Sequence, residues 1–194
     1  SRNRKRSSEN FQTTFFTLSH LYFFTKTSLY FISLYICEHC LKMSETIQNR
    51  KIKFALVGCG RISNNHFGSF EVLQEDCELV AVCDIDPAAL ATAVKRTGAK
   101  GYARYTDMLA ETDADVIVIT TPSGLHPEQA VEALEAGFHV VTEKPMATCF
   151  TDGELMVQAA DKAGKRLFVV KQNRLNATLQ LLKRAVAEQR FGKI

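Results

Sequence analysis

Two glycines are spaced as in a phosphate-binding turn. The segment Gly58-Cys-Gly60 directly follows a short apolar run, residues 51–57, and precedes a stretch with helical character. Gly58 can adopt a tight turn between strand and helix, and Gly60 has no side chain to obstruct a phosphate. Ser63, at the third small position of the usual fingerprint, still permits close helix–strand packing. Because a helix N-terminus presents free N–H groups to phosphates, the pattern predicts dinucleotide binding.

Asp84 is the acidic residue that such a turn requires. It ends the second apolar run, residues 79–83, and lies 26 positions after Gly58, close to the separation of about 20 expected for a carboxylate that binds ribose hydroxyls. Asp86 follows, and no Arg or Lys occurs between Asp84 and Lys95. A 2′-phosphate would meet negative charge here, so NAD is favoured over NADP. The alternative is an ordinary turn with Asp84 capping a loop.

Apolar runs and helical stretches alternate from residue 51 onward. The predicted strands are 51–57, 79–83, 101–105, 115–120, 139–142 and 166–170. The predicted helices are 63–73, 88–97, 106–111, 127–136, 151–163 and 177–189. Pro87 and Gly98 bound the second helix, Gly164 ends the fifth, and Thr106 is a candidate cap for the third. The run 115–120 is apolar enough to be buried on both faces. This order predicts an α/β fold with a doubly wound, mostly parallel sheet.

Composition and charge exclude one broad class of function. The chain has 194 residues, of which 46% are hydrophobic, and a formal net charge of +3. Residues 1–42 hold six basic and two acidic residues, which gives a net charge of +4. Residues 43–194 hold 18 basic and 19 acidic residues, which gives a net charge of −1. The larger part is therefore nearly neutral, which excludes a basic nucleic-acid-binding domain as the main interpretation.

Residues 1–42 also differ in composition from the rest of the chain. They contain no Gly, Ala, Pro or Asp, yet they hold six of the 13 Phe and three of the five Tyr. Their longest uncharged stretch, residues 11–25, has 15 residues and falls short of the roughly 20 apolar residues in a membrane-spanning helix. We expect Met43 to be the natural start and residues 1–42 to be a non-native or disordered leader. A membrane-associated leader is the alternative.

The six cysteines favour a reducing compartment. Cys37-Glu-His-Cys40 has the spacing of half a zinc knuckle, but no second Cys/His pair follows at a fitting distance, so we expect no metal site. The other four stand singly in apolar or loop segments, as reduced cytosolic cysteines do. We expect a cytoplasmic protein with no nucleic-acid partner and no membrane association.

Four short strings together carry a resemblance to a known family. They are Gly58-Cys-Gly60-Arg-Ile, Thr121-Pro-Ser-Gly-Leu-His126, Glu143-Lys-Pro145 and Gln172-Asn-Arg174. Each is short, but each follows a predicted strand. In these features residues 51–194 resemble the Gfo/Idh/MocA family of sugar and cyclitol dehydrogenases. The resemblance implies a Rossmann NAD(P)-binding domain followed by an α/β substrate domain built on an open sheet.

The resemblance also implies a division of the chain. We expect residues 43–170 to form the dinucleotide-binding Rossmann domain and residues 171–194 to begin a C-terminal substrate domain that is truncated here. The fragment itself is then expected to be inactive. Because the sheet of the second domain is commonly the assembly surface of the family, we expect a homo-oligomer at full length.

The family pattern assigns the chemistry to Lys144. The Lys of Glu143-Lys-Pro145 is placed beside the nicotinamide and the reacting hydroxyl, so that Glu143 and Lys144 both count as cofactor-binding residues. Oxidation of an alcohol requires that its proton be held or removed while a hydride leaves the carbon. A positively charged nicotinamide disfavours the charged form of a neighbouring Lys, which suits that task. The alternative is a solvated surface Lys.

The same resemblance supplies the remaining candidate residues. Those expected near the cofactor, besides Gly58, Gly60 and Asp84, are Arg61, Ile62, Thr121, Pro122 and His126. Asn173 and Arg174 match a loop that closes over the active site, where Arg174 can pair with an anionic substrate group. An exposed basic loop is the alternative. His66 and His139 are expected to be structural.

The strings at 58–66 and 171–178 look similar to one subgroup, the UDP-N-acetyl-2-amino-2-deoxyglucuronate 3-dehydrogenases of bacterial surface-polysaccharide synthesis, including lipopolysaccharide. That similarity implies NAD-dependent oxidation of the 3-hydroxyl of a UDP-N-acetylglucosaminuronate-type nucleotide sugar, giving a ketone for a partner aminotransferase. Two alternatives stay open. One is a myo-inositol or aldose dehydrogenase of the same family, and the other is a non-catalytic NAD-binding sensor or inactive fragment.

Overall fold

The computed structural model describes residues 49–193, so the predictions for residues 1–42, with Cys37 and Cys40, lie outside the described residues. The strands are β1 (Ile52–Val57), β2 (Cys77–Cys83), β3 (Lys100–Tyr102), β4 (Val116–Ile119), β5 (His139–Thr142) and β6 (Leu167–Val169). The helices are α1 (Ser63–Val72), α2 (Pro87–Thr97), α3 (Tyr105–Glu111), α4 (His126–Glu135), α5 (Phe150–Ala163) and α6 (Ala177–Ala187). Two 3₁₀ turns, Ser123–Leu125 and Gln172–Leu175, precede α4 and α6.

The six strands form one sheet in the order β3-β2-β1-β4-β5-β6. Every neighbouring pair is parallel. The chain builds β1 to β3 outward in one direction and then crosses to build β4 to β6 in the other. In such sheets the ligand crevice opens at the carboxyl ends of the two strands that flank this reversal, here β1 and β4. The predicted α/β fold with a doubly wound parallel sheet is confirmed.

The two faces of the sheet carry separate hydrophobic cores. Ile117 and Ile119 of β4 belong to the core that includes residues of α3, α4 and α5, and Val116 and Val118 belong to the core that includes residues of α1 and α2. Because successive side chains of a strand point to opposite faces, a strand between two cores must be apolar throughout. All four residues of β4 are buried. The prediction that this run is covered on both sides is confirmed.

The ends of α2 and α5 follow the predicted signals. Pro87 lies in the first turn of α2, where the Asp86 side chain accepts the N–H of Ala88 at 2.9 Å. Gly98 ends α2 with a φ of 72°, and Gly164 ends α5 with a φ of 63°. Both glycines adopt the left-handed conformation that closes a helix C-terminus.

Two local predictions are wrong. Thr106 does not cap α3, since the helix begins at Tyr105 after an extended Arg104 and no side chain caps it. The third strand is shorter than predicted, because it pairs only with β2 and the pairing stops where β2 ends, at Cys83 opposite Tyr102. Strand ends are thus determined by the partner strand, which local composition does not show.

α6 lies outside both cores. None of its residues is buried, and its exposed apolar side chains are Leu179, Leu181, Leu182 and Val186. No helix between residues 49 and 193 combines the length and apolar character that crossing a membrane requires. The domain boundary between residues 170 and 171 stays a prediction.

Replacing Ile117 by Ala should lower the free energy of unfolding by about 2–5 kcal/mol, because truncation leaves a cavity in a packed core. Ile117 has no solvent exposure, whereas Ile85 is 91% exposed. The matched variant Ile85→Ala should therefore change stability by less than about 0.5 kcal/mol. Urea denaturation of both variants measures the difference, and equal losses would contradict this description of the core.

Candidate active site

The residues predicted to do chemistry follow strands at one edge of the sheet. Gly58 comes directly after β1 and Asp84 directly after β2, whereas Thr121 and Lys144 each lie two residues past the ends of β4 and β5. Since all the strands are parallel, their carboxyl ends lie at the same edge. The structure therefore brings the predicted cofactor turn and the predicted catalytic Lys to the edge at which the strand order reverses.

Gly58 lies where two backbone segments meet. Its φ of 93° is in the left-handed region. A Cβ added to it would lie 2.7 Å from the backbone N of Thr121 and 2.8 Å from the carbonyl carbon of Thr120. The Thr120 hydroxyl is a shared donor to the carbonyl oxygens of Val57 at 2.9 Å and Gly58 at 2.6 Å. No residue with a side chain fits this position, so glycine keeps β1 and β4 in contact.

The start of α1 is open to an anionic ligand. No side chain caps the helix, and a Cβ placed on Gly60 would meet no atom within 4 Å. Ser63 is fully buried and its hydroxyl donates to the Gly60 carbonyl at 2.6 Å, which keeps the turn closed. Arg61 and Ile62 are exposed on the same turn. An uncapped helix N-terminus behind an unobstructed glycine fits the diphosphate of a dinucleotide.

Two backbone N–H groups hold the Asp84 carboxylate. Its Oδ2 accepts from the N–H of Cys59 at 2.6 Å and its Oδ1 accepts from the N–H of Asp86 at 2.8 Å. The carboxylate is therefore joined to the glycine turn, and each oxygen keeps a further lone pair for a hydroxyl donor. Asp86 places a second negative charge beside it. This arrangement suits ribose hydroxyls and repels a phosphate at the same place.

The thiols near the glycine turn lie in surroundings that disfavour the thiolate. Burial, with the charge of Asp84, raises the pKa of Cys59 to about 12 and that of Cys83 to about 11. A thiol with so high a pKa carries almost no thiolate at neutral pH. Cys59, Cys77, Cys83 and Cys149, the cysteines within residues 49–193, are all free.

His126 links the loop after β4 to the loop after β5. Its ring is 1% exposed, with Nδ1 2.9 Å from the carbonyl oxygen of Pro145 and Nε2 2.8 Å from that of Thr121. The Thr121 hydroxyl donates to Oε1 of Gln129 at 2.5 Å, and Pro122 is exposed beside it. The structure thus places the imidazole between two backbone segments that border the crevice.

Glu143 and Lys144 differ sharply in their surroundings. The N–H of Glu143 donates to the carbonyl of Ile119 at 3.0 Å, so its backbone still belongs to the sheet. Its buried carboxylate lies 2.9 Å from Nε2 of His66 and accepts the N–H of Lys144 at 3.2 Å. Burial alone would raise the pKa of Glu143, but His66 and Lys144 together hold it below its ordinary value. Lys144 is exposed and precedes a cis peptide bond to Pro145.

Asn173 and Arg174 lie on the 3₁₀ turn after β6, one strand further along the same edge. Both are exposed. The N–H of Arg174 donates to the carbonyl of Lys171 at 3.0 Å, and the N–H of Asn176 donates to the carbonyl of Asn173 at 3.1 Å. The turn is therefore ordered by its own backbone, while the predicted role of both side chains in substrate binding stays a prediction.

A family model agrees with this geometry. Residues 52–171 match the model GFO_IDH_MocA, described as an oxidoreductase family with an NAD-binding Rossmann fold. The chain belongs to this family. The predicted Gfo/Idh/MocA membership and the predicted cofactor, NAD, are thereby confirmed, and the open glycine turn with its anchored Asp84 is the part of the structure that fits the cofactor.

Curated members of the Gfo/Idh/MocA family match the chain over part of their length. Inositol 2-dehydrogenase of Salmonella typhimurium is 34% identical over 118 residues, which are 60% of this chain and 35% of that protein. D-glucoside 3-dehydrogenase of Escherichia coli is 31% identical over 153 residues, 78% of this chain and 44% of that protein. The chain thus spans less than half the length of these two relatives.

Solved structures of higher identity also match. The WlbA dehydrogenase of Chromobacterium violaceum, in complex with NADH and UDP-GlcNAcA, is 67% identical with a TM-score of 0.77, covering 79% of this chain and 45% of that one. The WlbA dehydrogenase of Bordetella pertussis, in complex with the same two molecules, is 58% identical with a TM-score of 0.73, covering 75% and 44%. Myo-inositol 2-dehydrogenase of Lactobacillus plantarum is 26% identical with a TM-score of 0.70, covering 75% and 43%.

Sequence reasoning did not connect His66 with Glu143. His66 lies on the buried side of α1 with Ser63 and Phe67, and a polar side chain there needs a partner beneath the helix. That need for a partner was the only sign in the sequence analysis that His66 makes a specific hydrogen bond. The partner is 77 residues away along the chain, so only the folded topology identifies it.

Replacing Gly58 by Ala should weaken NAD⁺ binding by at least about tenfold, or 1.4 kcal/mol, because the added Cβ forces β1 and β4 apart. Gly137→Ala is the matched control, since Gly137 has the same φ of 93° but no atom within 4 Å of the place that a Cβ would take. Gly137→Ala should lower only the stability of the fold, because Ala is strained at a left-handed φ, and should leave NAD⁺ binding intact. Isothermal titration calorimetry measures both, and equal affinities would refute the close-contact argument.

Proposed function

We propose that the protein oxidises the 3-hydroxyl of a UDP-N-acetylglucosaminuronate-type nucleotide sugar, with NAD⁺ as the hydride acceptor. The likeness to two WlbA dehydrogenases carries the proposal. Their identities of 67% and 58% over at least three quarters of this chain exceed the 34% and 26% of inositol dehydrogenases. Both WlbA structures contain NADH and UDP-GlcNAcA.

The proposed cofactor site runs along the carboxyl edge of the sheet. It comprises Gly58, Gly60, Arg61, Ile62, Asp84, Thr121, Pro122, His126, Glu143 and Lys144. The uncapped start of α1 would hold the diphosphate, and Asp84 would accept hydroxyls of the adenosine ribose. His126 and Glu143 would contribute by holding the two loops, since both side chains are buried.

Lys144 is the proposed catalytic residue. Bound NAD⁺ supplies a nicotinamide ring that accepts the hydride from the carbinol carbon. The amine of Lys144 hydrogen-bonds to the hydroxyl and takes its proton as the carbon–oxygen bond becomes a carbonyl. One hydride and one proton therefore leave the alcohol, and the product is a ketone. The exposure of Lys144, next to a buried Glu143, supports this role because it leaves the amine free to approach a substrate.

The negative charge of the proposed substrate is complementary to the positive charge of Arg174, on the turn that follows β6. Arg174 presents a planar guanidinium that pairs with a carboxylate through two parallel hydrogen bonds. Asn173 would add an amide donor. Both lie one strand beyond Lys144, at the same edge of the sheet.

A second candidate is a myo-inositol or aldose dehydrogenase. The inositol 2-dehydrogenases at 34% identity favour it. The same Lys144 chemistry would serve any secondary alcohol. The two candidate functions therefore differ only in the part of the substrate that binds next to the reacting hydroxyl. A non-catalytic NAD-binding sensor is the third candidate, and it would have no use for Lys144.

The cellular setting is part of the same proposal. We place the full-length protein in the cytoplasm as a homo-oligomer, where it serves surface-polysaccharide synthesis, including that of lipopolysaccharide, and yields a ketone for an aminotransferase. UDP-activated sugars in the WlbA complexes support a biosynthetic role. The cytoplasmic location rests on the unpaired cysteines within residues 49–193, and the remaining points rest on the sequence resemblance.

A substrate panel tests the proposed activity. The full-length protein should reduce NAD⁺ with UDP-GlcNAcA at a kcat/KM at least about 100-fold above that with UDP-GlcNAc, which lacks the carboxylate, or with myo-inositol. NADH absorbance measures all three. A preference for myo-inositol would contradict the proposal in favour of the second candidate. NAD⁺ binding without turnover of any alcohol would favour the sensor.

Replacing Lys144 by Met should lower kcat by about 10²–10⁴-fold, the usual contribution of a positioned acid–base group, while the protein still binds NAD⁺. Lys162→Met is the matched control, because Lys162 is exposed in the last turn of α5, away from the crevice edge. Steady-state kinetics and NAD⁺ titration separate the two effects. Unchanged turnover in the Lys144 variant would refute its catalytic role.

A further inference from the structure

A buried pair of titratable side chains connects α1 to the end of β5. His66 on α1 is 2% exposed and Glu143 is 7% exposed. Nε2 of His66 lies 2.9 Å from Oε1 of Glu143. The other carboxylate oxygen, Oε2, accepts the backbone N–H of Lys144 at 3.2 Å. These contacts form a continuous path from the helix of the glycine turn to the residue proposed to act on the substrate.

The hydrogen-bonding groups of the pair define where the proton lies. An ionised Glu143 is acceptor-only, so Nε2 of His66 must donate to it. Nδ1 of His66 is buried and has no hydrogen-bond partner within the described part of the chain. A proton on Nδ1 would therefore be a buried donor without an acceptor, which costs free energy. The tautomer with hydrogen on Nε2 satisfies the pair.

We propose that His66 is a positioning residue for Lys144, an inference that rests on the proposed catalytic role of Lys144. The Nε2–H of His66 holds the Glu143 carboxylate in the interior, where it keeps its bond to the Lys144 N–H. That bond fixes the direction in which Lys144 leaves the sheet. Without the imidazole, the carboxylate is a buried charge that has lost its strongest donor.

A purely structural His66 and a positioning His66 predict different results. Loss of a structural contact lowers stability and leaves the chemistry of correctly folded molecules unchanged. Loss of a positioning contact lowers kcat in molecules that remain folded and still bind NAD⁺. A variant that restores the N–H donor adds a second distinction, because only a positioning role ties kcat to the hydrogen bond that His66 donates.

The variants are made in the full-length protein. His66→Leu removes the donor, His66→Gln keeps an N–H donor near the place of Nε2, and His66→Asn is too short to reach Glu143. The matched control is His139→Leu, at the opposite end of β5, where Nδ1 of His139 accepts the N–H of Arg166 at 3.0 Å. Thermal denaturation establishes which variants are folded, and the Asn variant replaces the Leu variant if the latter is not.

The variants are assayed with the sugar that the wild type oxidises. The kcat of His66→Leu or His66→Asn should fall by about 10–100-fold, whereas KM and NAD⁺ affinity should stay within about threefold of the wild-type values. His66→Gln should recover kcat to within about threefold of the wild type. His139→Leu should lose stability and retain kcat. Wild-type kcat in whichever of the Leu and Asn variants is folded would overturn the proposal.

Chemical labelling of Lys144 separates this inference from the choice of substrate. Bound NAD⁺ should protect Lys144 from reductive methylation in the wild type and in His66→Gln, and protect it less in NAD⁺-saturated His66→Leu. Mass spectrometry measures the modified fraction. If the wild type oxidises no sugar of the panel, the proposed activity fails while labelling still decides this inference. Equal protection in the Leu variant and the wild type overturns it, and so does an absence of protection in the wild type.

Discussion

The contact between Gly58 and the backbone of Thr120 and Thr121 is the constraint on which the rest of the site depends. It holds together the ends of β1 and β4, the two strands that flank the reversal in strand order. The Thr120 hydroxyl strengthens the contact by bonding to the carbonyls of Val57 and Gly58. On the other side, the N–H of Cys59 bonds to Asp84. Three strand ends thus converge on one turn, and the crevice opens where they meet.

Buried polar groups are concentrated at the same edge of the sheet. Within residues 49–193 the buried polar or charged residues are Ser63, His66, Thr120, His126, Thr142 and Glu143. Each lies at or just past the carboxyl end of a strand, or in the first two turns of the helix that follows. A buried polar group needs a partner, and each of these residues makes at least one hydrogen bond to another of them or to a nearby backbone carbonyl. The apolar cores account for the stability of the sheet, whereas this polar layer determines where the crevice loops lie.

Local signals in the sequence were sufficient for the architecture and for the cofactor turn. The alternation of apolar runs with helical stretches predicted the sheet. The positions of Gly58, Gly60 and Asp84 directly after two predicted strands predicted the dinucleotide crevice. The predicted cap at Thr106 and the predicted limits of β3 were wrong. Pairing with β2 determines where β3 ends. The bond between His66 and Glu143 joins residues 77 positions apart. No periodicity or short spacing contains that information, and it emerges only when the fold brings His66 to the residue that follows β5.

The division of roles between Glu143 and Lys144 follows from that long-range bond. A carboxylate close to an amine stabilises the charged form of the amine, which opposes the uptake of a proton from a substrate. Here the carboxylate of Glu143 is drawn into the interior by His66 and engages the backbone N–H of Lys144. Its hydrogen bonds therefore go to the His66 ring and to the main chain of Lys144. If Lys144 is the catalytic residue that we propose, the negative charge that would hinder it from one direction positions it from another, and in our proposal the imidazole of His66 sets that direction.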